Sequence, residues 1–165
     1  MAQPPQPEPL AFLLTWTTYG TWLPGDARGW FKKRTYRQET GDAVRLRRAN
    51  ELMSESAVIL SPEQRQVVDA IIRRHAEVQE WNLLAVNART NHVHVVIGYA
   101  GINPKIMRQQ FKQWSTRELK KRDPARKKWW TEEGSCRHLN HEEHVEAAVE
   151  YVLNGQDGRR FEVME

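Results

Sequence analysis

Two short runs, Leu83–Ala88 and His92–Tyr99, meet across Asn91 and limit most narrowly the folds open to this chain. Each has the length and residue types of a strand, and asparagine suits a tight connection, so the pair reads as an antiparallel hairpin. Along a strand the side chains alternate between faces. His92 and His94 therefore share one face, roughly 6–7 Å apart along the backbone, while Val93, Val95 and Ile97 share the other. An apolar face of that kind has to be covered, and the flanking sequence carries the helices to do it.

Upstream, Ser61-Pro62-Glu63-Gln64 reads as a helix start: serine as cap, proline at the first helical position, glutamine three residues after the cap. Val67, Val68, Ile71, Ile72, His75 and Val78 then form an apolar stripe at helical spacing. Downstream, Asn103 to Arg122 reads as a second helix, with Met107, Phe111 and Trp114 on its buried side and Lys105, Arg108, Lys112 and Lys120 roughly opposite. Leu10 to Tyr19 alternates and is rich in β-branched and aromatic residues, which predicts a first strand. Cys136 to Leu139 is a candidate last strand, and Asn140 with Glu143 caps a final helix to about Leu153.

The resulting order is strand, helix, strand, strand, helix, strand, helix. That is an α+β, ferredoxin-like βαββαβ plan with an antiparallel sheet and one extra C-terminal helix. Residues 20–56, with Pro24, Gly25, Gly29 and Gly41 and little periodicity, read as a long insertion containing a short helix near Ala43 to Met53. At 165 residues the length is that of one domain, here 10–165, and Met1 to Pro9 with its four prolines reads as a disordered, extended leader. No apolar run approaches the ~20 residues of a membrane span. One cysteine, Cys136, excludes an internal disulfide framework and a thiol-rich zinc site. A soluble cytoplasmic protein is the expectation.

The formal net charge of +4 is modest, but its distribution is informative. Arg28, Lys32, Lys33, Arg34, Arg37, Arg45, Arg47 and Arg48 form one basic belt, and a second runs from Lys105 to Lys128. Belts of this kind, interleaved with tryptophan and tyrosine, suit a polyanion with stackable bases as well as a solvated helix face. Candidate nucleic-acid contacts are Arg34, Lys105, Arg108, Lys112, Lys120, Lys127 and Lys128.

The chemistry-bearing residues are few. Two imidazoles on one strand face can share a metal, although such a pair is also commonly just two exposed histidines. In the final helix Val145, Ala148, Val149 and Val152 make the apolar stripe, and Tyr151 falls roughly 100° off its centre, placed either to anchor the helix or to reach a neighbouring surface. His144 reads as solvent-exposed and His75 as a satisfied core histidine. Trp114 is expected in the core, Trp129 and Trp130 can serve stacking or packing, and Cys136 reads as a buried structural thiol.

Taken together, Asn91-His92-Val93-His94 on a central strand and Tyr151-Val152-Leu153-Asn154-Gly155-Gln156 on the terminal helix resemble the HUH endonuclease superfamily. The resemblance is specifically to its one-tyrosine transposases, which include the REP-associated tyrosine transposases. The opening Thr15-Trp16-Thr17-Thr18-Tyr19-Gly20-Thr21-Trp22-Leu23-Pro24-Gly25-Asp26 is similar to that group's first strand and turn, so the likeness spans about Phe12 to Gln156. It implies a Mg²⁺ or Mn²⁺ ion held by His92, His94 and a third polar side chain, and Tyr151 as nucleophile on single-stranded or hairpin DNA. Cleavage through a 5′-phosphotyrosine intermediate, reversible by a 3′ hydroxyl, follows, in a monomer or a homodimer.

In familiar relatives the third ligand often stands four residues after the tyrosine, and here that position is Gly155. The Gly-Gln pair resembles the subgroup with the same opening motif, which favours Gln156 over Asn154 as that ligand. Two rival readings remain: a non-catalytic or host-adapted DNA- or RNA-binding protein on the same sheet, and a metal phosphoesterase that uses water. The second could draw on His138, His141 and His144 as a further metal cluster.

Overall fold

A computed structural model describes residues 8–21, 30–31, 38–39 and 41–155. Arg28, Arg34 and Gln156, with most of the leader, lie outside the described residues. In chain order the elements are β1 (Ala11–Thr17), β2 (Trp30–Phe31), β3 (Gln38–Glu39), α1 (Ala43–Leu52), α2 (Pro62–Gln79), β4 (Leu83–Ala88), β5 (His92–Gly98), α3 (Pro104–Arg122), β6 (Ser135–Leu139) and α4 (Glu142–Asn154). The ferredoxin-like order is as expected, with the β2–β3 ribbon and α1 lying inside the insertion.

Local signals set the helix ends. The Ser61 side chain accepts from the Gln64 N–H at 3.1 Å while the Gln64 side chain accepts from the Ser61 N–H at 2.9 Å, a complete capping box. Asn103 caps α3, with Pro104 in the first turn. α4 differs from expectation: its cap is His141, one residue after Asn140, and His141 makes no side-chain capping bond.

The main sheet is antiparallel throughout, in the order β4-β5-β1-β6. β1 and β5 are its two central strands, and Leu14 pairs with Val95, Thr15 with His94 and Thr17 with His92. Such a sheet has to be covered on each apolar face. Phe12, Leu14, Trp16, Val93, Val95 and Ile97 form one core with Val68 and Ile72 of α2 and Met107 and Phe111 of α3. On the reverse side Ala11, Leu13, Ala85, Val96 and Leu139 form a second core with Ala148 and Val152 of α4.

Two helix faces differ from expectation. On α2 the buried line is Val68, Ile72, His75 and Ala76, and Val78 is exposed near the helix end. On α3 the buried positions Met107, Phe111, Ser115 and Leu119 recur every four residues, which leaves Trp114 on the flank, 38% exposed, between His75 and Arg117. The same rotation turns Arg108 inward, to 8% exposure, and half-buries Lys112, so neither lies opposite the core. Steps of three and four both suit a helix, and only the neighbouring elements select between them. His75 is a satisfied core histidine, its Nε2 2.8 Å from Gln110 Oε1.

Phe111→Ala should cost about 3–5 kcal/mol, as expected for truncating a fully buried phenylalanine. Trp114→Ala should cost about 1 kcal/mol or less, because its ring is already partly solvated. Urea unfolding followed by far-UV circular dichroism measures both, and equal losses would contradict this assignment of faces.

Candidate active site

The sheet face under α4 is apolar at one end and polar at the other. Ala11, Leu13 and Val96 lie at the apolar end, beneath Ala148 and Val152. Toward the other end, the register sets Thr15 and Asn87 on either side of His94, and Thr17 beside His92. Directly paired residues of antiparallel strands project to the same face, so five polar side chains gather there. Of these only the histidines stood out in the sequence. Thr15, Thr17 and Asn87 are short polar residues in strands, and only the strand register reveals them.

Each histidine is held through Nδ1. Thr15 Oγ1 lies 2.8 Å from His94 Nδ1, and Asn91 Oδ1 lies 2.7 Å from His92 Nδ1. The two rings are 4.7 Å apart between centroids. His94 is only 7% exposed. Burial, reinforced by the charges of His92 and Arg89, pushes its pKa down from the ordinary 6.5 to about 3. At neutral pH His94 is therefore an uncharged imidazole with a ring lone pair.

α4 brings Tyr151 onto the same end. Val152 is buried in the second core, and its carbonyl accepts a 2.9 Å hydrogen bond from Asn87 Nδ2, which ties the helix to β4 one residue from the tyrosine. The Tyr151 ring stands 5.4 Å from the His94 ring at 70°. It is half-buried, and desolvation raises its pKa above the usual 10, so the phenol is protonated at neutral pH. The helix ends at Asn154, which is exposed, with Gly155 as C-cap.

A family model for IS200-like transposases matches residues 53–154, a span that contains both histidines, the tyrosine, and the strand and helix that carry them. The chain belongs to the IS200-like transposase family. A solved REP-associated tyrosine transposase bound to a REP hairpin superposes with a TM-score of 0.52 at 11% identity, covering 92% of this chain and 70% of that one. A putative transposase from Deinococcus radiodurans R1 aligns with a TM-score of 0.46 at 16% identity, over 94% of this chain and 97% of that one. No curated protein matches. Membership of this family makes the chain a transposase, and in general terms a DNA-cleaving enzyme.

Among the described residues of the transposase no group of three or more His, Cys, Asp or Glu side chains could hold a metal. An ion at this site would take two imidazoles and draw further donors from an amide at the end of α4 or from solvent and substrate. The His138, His141 and His144 cluster does not form. His138 packs edge-on against Phe12 on the face that α2 and α3 cover, whereas His141 and His144 pair at 4.9 Å at the start of α4.

The basic residues divide. Lys105, Lys120, Lys127 and Lys128 are exposed. Arg108 donates from Nη1 to Cys136 Sγ at 3.1 Å, and Lys112 donates to the Thr131, Glu132 and Glu133 carbonyls at 2.6–3.2 Å, so these two brace the chain between α3 and β6. Cys136 is half-buried, and desolvation raises its pKa despite the nearby Arg108. Trp129 is buried, and Trp130 packs edge-on against Trp16, so both serve packing. No helix among the described residues is long and apolar enough to cross a membrane.

The depressed His94 pKa carries a stability consequence. Below pH 6.5 the unfolded chain takes up a proton that the folded chain refuses, so this contribution is full above pH 6.5 and falls away toward pH 3. Thermal melts of metal-free protein should therefore show a falling midpoint from pH 6.5 to 5, before most carboxylates titrate. His94→Gln should flatten that slope, and an unchanged slope would contradict the neutral, buried state.

Proposed function

We propose that this transposase cleaves and rejoins single-stranded or hairpin DNA through Tyr151, assisted by a Mg²⁺ or Mn²⁺ ion held by His92, His94 and an amide from the end of α4. Gln156 is the amide expected from its place after the tyrosine, with Asn154 as the other candidate. The observation that carries this reading is the approach of Tyr151 to His94 at 5.4 Å, at the polar end of a face whose remainder is sealed by apolar packing. Tyr151 packs against the apolar core of that face on one side and meets the His94 imidazole on the other, so its ring reaches beyond the anchoring contact.

The histidine environment favours ligation. An Nδ1–H of His92 donating to Asn91 Oδ1, and one of His94 donating to the Thr15 hydroxyl, fix the tautomer in which Nε2 carries the lone pair that would bind a cation. When bound, the ion supplies Lewis-acid stabilisation of charge on a phosphate oxygen. The chain's own part is positional. Asn87 and the buried Val152 hold α4 so that the Tyr151 ring is presented beside His94. The tyrosine oxygen attacks phosphorus, the phenol loses its proton, and the bond from phosphorus to the 3′ oxygen breaks. The 5′ side stays linked to the tyrosine and the 3′ side departs as a hydroxyl. The phosphotyrosine conserves the ester, so a 3′ hydroxyl can reverse the step.

A hairpin substrate is proposed because the REP-associated relative was solved bound to a REP hairpin. Tyrosine and histidines meet within one chain, which supports a site complete in a single copy and a monomer able to act. Exposed Lys105, Lys120, Lys127 and Lys128, with Arg34, are the proposed phosphate contacts.

Incubation with labelled hairpin oligonucleotide and Mn²⁺ should give a protein–DNA adduct that survives a denaturing gel. Tyr151→Phe should bind the same DNA but lose adduct and cleavage by about three orders of magnitude or more, as for a missing nucleophile. His92→Ala and His94→Ala should abolish both while leaving a folded protein. Cleavage by Tyr151→Phe would make water the nucleophile, and binding without cleavage by the wild type would favour a DNA-binding role alone.

A further inference from the structure

Two basic stretches far apart in sequence are fastened together at one corner of the fold. α1 carries Arg45, Arg47 and Arg48 and buries none of its residues. The segment that follows it, Met53–Val58, crosses the connector between α3 and β6. There the Glu55 carboxylate accepts the Lys127 N–H at 3.0 and 3.2 Å and the Lys128 N–H at 3.1 Å. Arg126 donates to the Ser56 carbonyl at 2.8 Å and the Ser56 hydroxyl at 2.6 Å, and pairs with Glu55 at 3.5 Å.

Tyr19 closes the corner. Its N–H donates to the Trp129 carbonyl at 2.8 Å, and its carbonyl accepts from the Val58 N–H at 2.8 Å. Its hydroxyl accepts from the Ser54 N–H at 3.3 Å, and the Lys128 ammonium stands 5.5 Å from its ring centre. Gly20, at φ +80°, makes the turn next to it, where a Cβ would meet Ala57 at 2.8 Å. This corner lies at the histidine end of the sheet. The Thr18 N–H donates to the Asn91 carbonyl, the Thr131 N–H donates to the Thr17 carbonyl, and Thr17 pairs with His92.

A carboxylate set among these cations weakens the attraction of the corner for a polyanion, so charge alone gives no reason for it. Geometry does, because its oxygens are spent on the backbone of the two residues that carry the exposed lysines. The Lys128 N–H, followed by the Lys127 N–H and the Arg126 charge, holds the Glu55 carboxyl below the usual range, which keeps it ionised.

We propose that Glu55 is a positioning residue that fixes the connector so that Lys127 and Lys128 form a preordered cradle for DNA phosphates beside the histidine end of the sheet. This rests on the transposase reading above. An irregular connector would otherwise be ordered only on binding, at an entropic cost that the carboxylate removes in advance.

The test sets geometry against charge. Glu55→Gln and Glu55→Ala make the same change in charge, but glutamine keeps one acceptor oxygen. Binding of a fluorescent hairpin with a single-stranded tail is followed by anisotropy over a range of salt concentrations. Glu55→Ala should weaken binding on the order of tenfold and lower the salt slope by about 1, since a phosphate contact is lost. Glu55→Gln should fall between that variant and the wild type. Lys127→Ala, at an exposed side chain that leaves folding intact, should reproduce the loss of slope, and Glu77→Gln on the outer face of α2 should bind like the wild type or slightly tighter.

If both Glu55 variants bind as tightly as the wild type or tighter, the carboxylate acts only through its charge and the proposal is overturned. Wild-type binding by Lys127→Ala overturns it as well. Should Glu55→Ala melt below the assay temperature, Glu55→Gln and Lys127→Ala decide the matter. Failure of the cleavage reading is separately visible, as a wild type that binds the hairpin but forms no adduct.

Discussion

The pairing of β1 with β5 is the constraint on which the rest of this molecule depends. It sets Thr15 against His94 and Thr17 against His92, and it sends Phe12, Leu14 and Trp16 to the opposite face with Val93, Val95 and Ile97. A slip of one residue in β5 would exchange its faces, burying histidines under α2 and α3 and exposing valines to α4. Burying an unpaired imidazole costs far more than a methyl contact returns, so the register is enforced by both faces at once.

Coverage of the two faces is unequal, and the inequality makes room for chemistry. α2 and α3 seal one face along its length with large side chains such as Ile72, Met107 and Phe111. Among the described residues α4 alone covers the other, and its small buried residues, Ala148 and Val152, lie over Leu13 and Val96. The apolar contact holds the helix down at one end, and Asn87 holds it at the other through the Val152 carbonyl. Tyr151 is carried to the boundary between the two. It is buried enough for its proton to be held more tightly than in water, and close enough to His94 for their rings to touch.

The same economy of means appears in the basic segments. Lysines and arginines of one helix can have opposite tasks, because a long side chain buries its stem and sends its head wherever acceptors lie. Lys112 finds three carbonyls, and desolvation draws its pKa down to about 8, whereas Lys120 faces water. Charge counted along the sequence does not distinguish a brace from a contact surface.

The alternation of residues 92–97, the capping box at Ser61 and the stripe of α4 determined the ferredoxin-like order, and they put two histidines on one strand face and a tyrosine off the helix stripe. These are local signals, with periods of two or 3.6 that survive without knowledge of neighbours. Tertiary structure alone decided which side of α3 is buried, and hence that Trp114 is partly solvated while Arg108 is not. It alone brought Thr15 and Asn87 to the histidines and Glu55 to Lys127 and Lys128, and it separated His138 from His141 and His144. Each of these depends on a strand register, a strand-to-helix junction or a crossing between segments, and no local period in the chain encodes such a meeting.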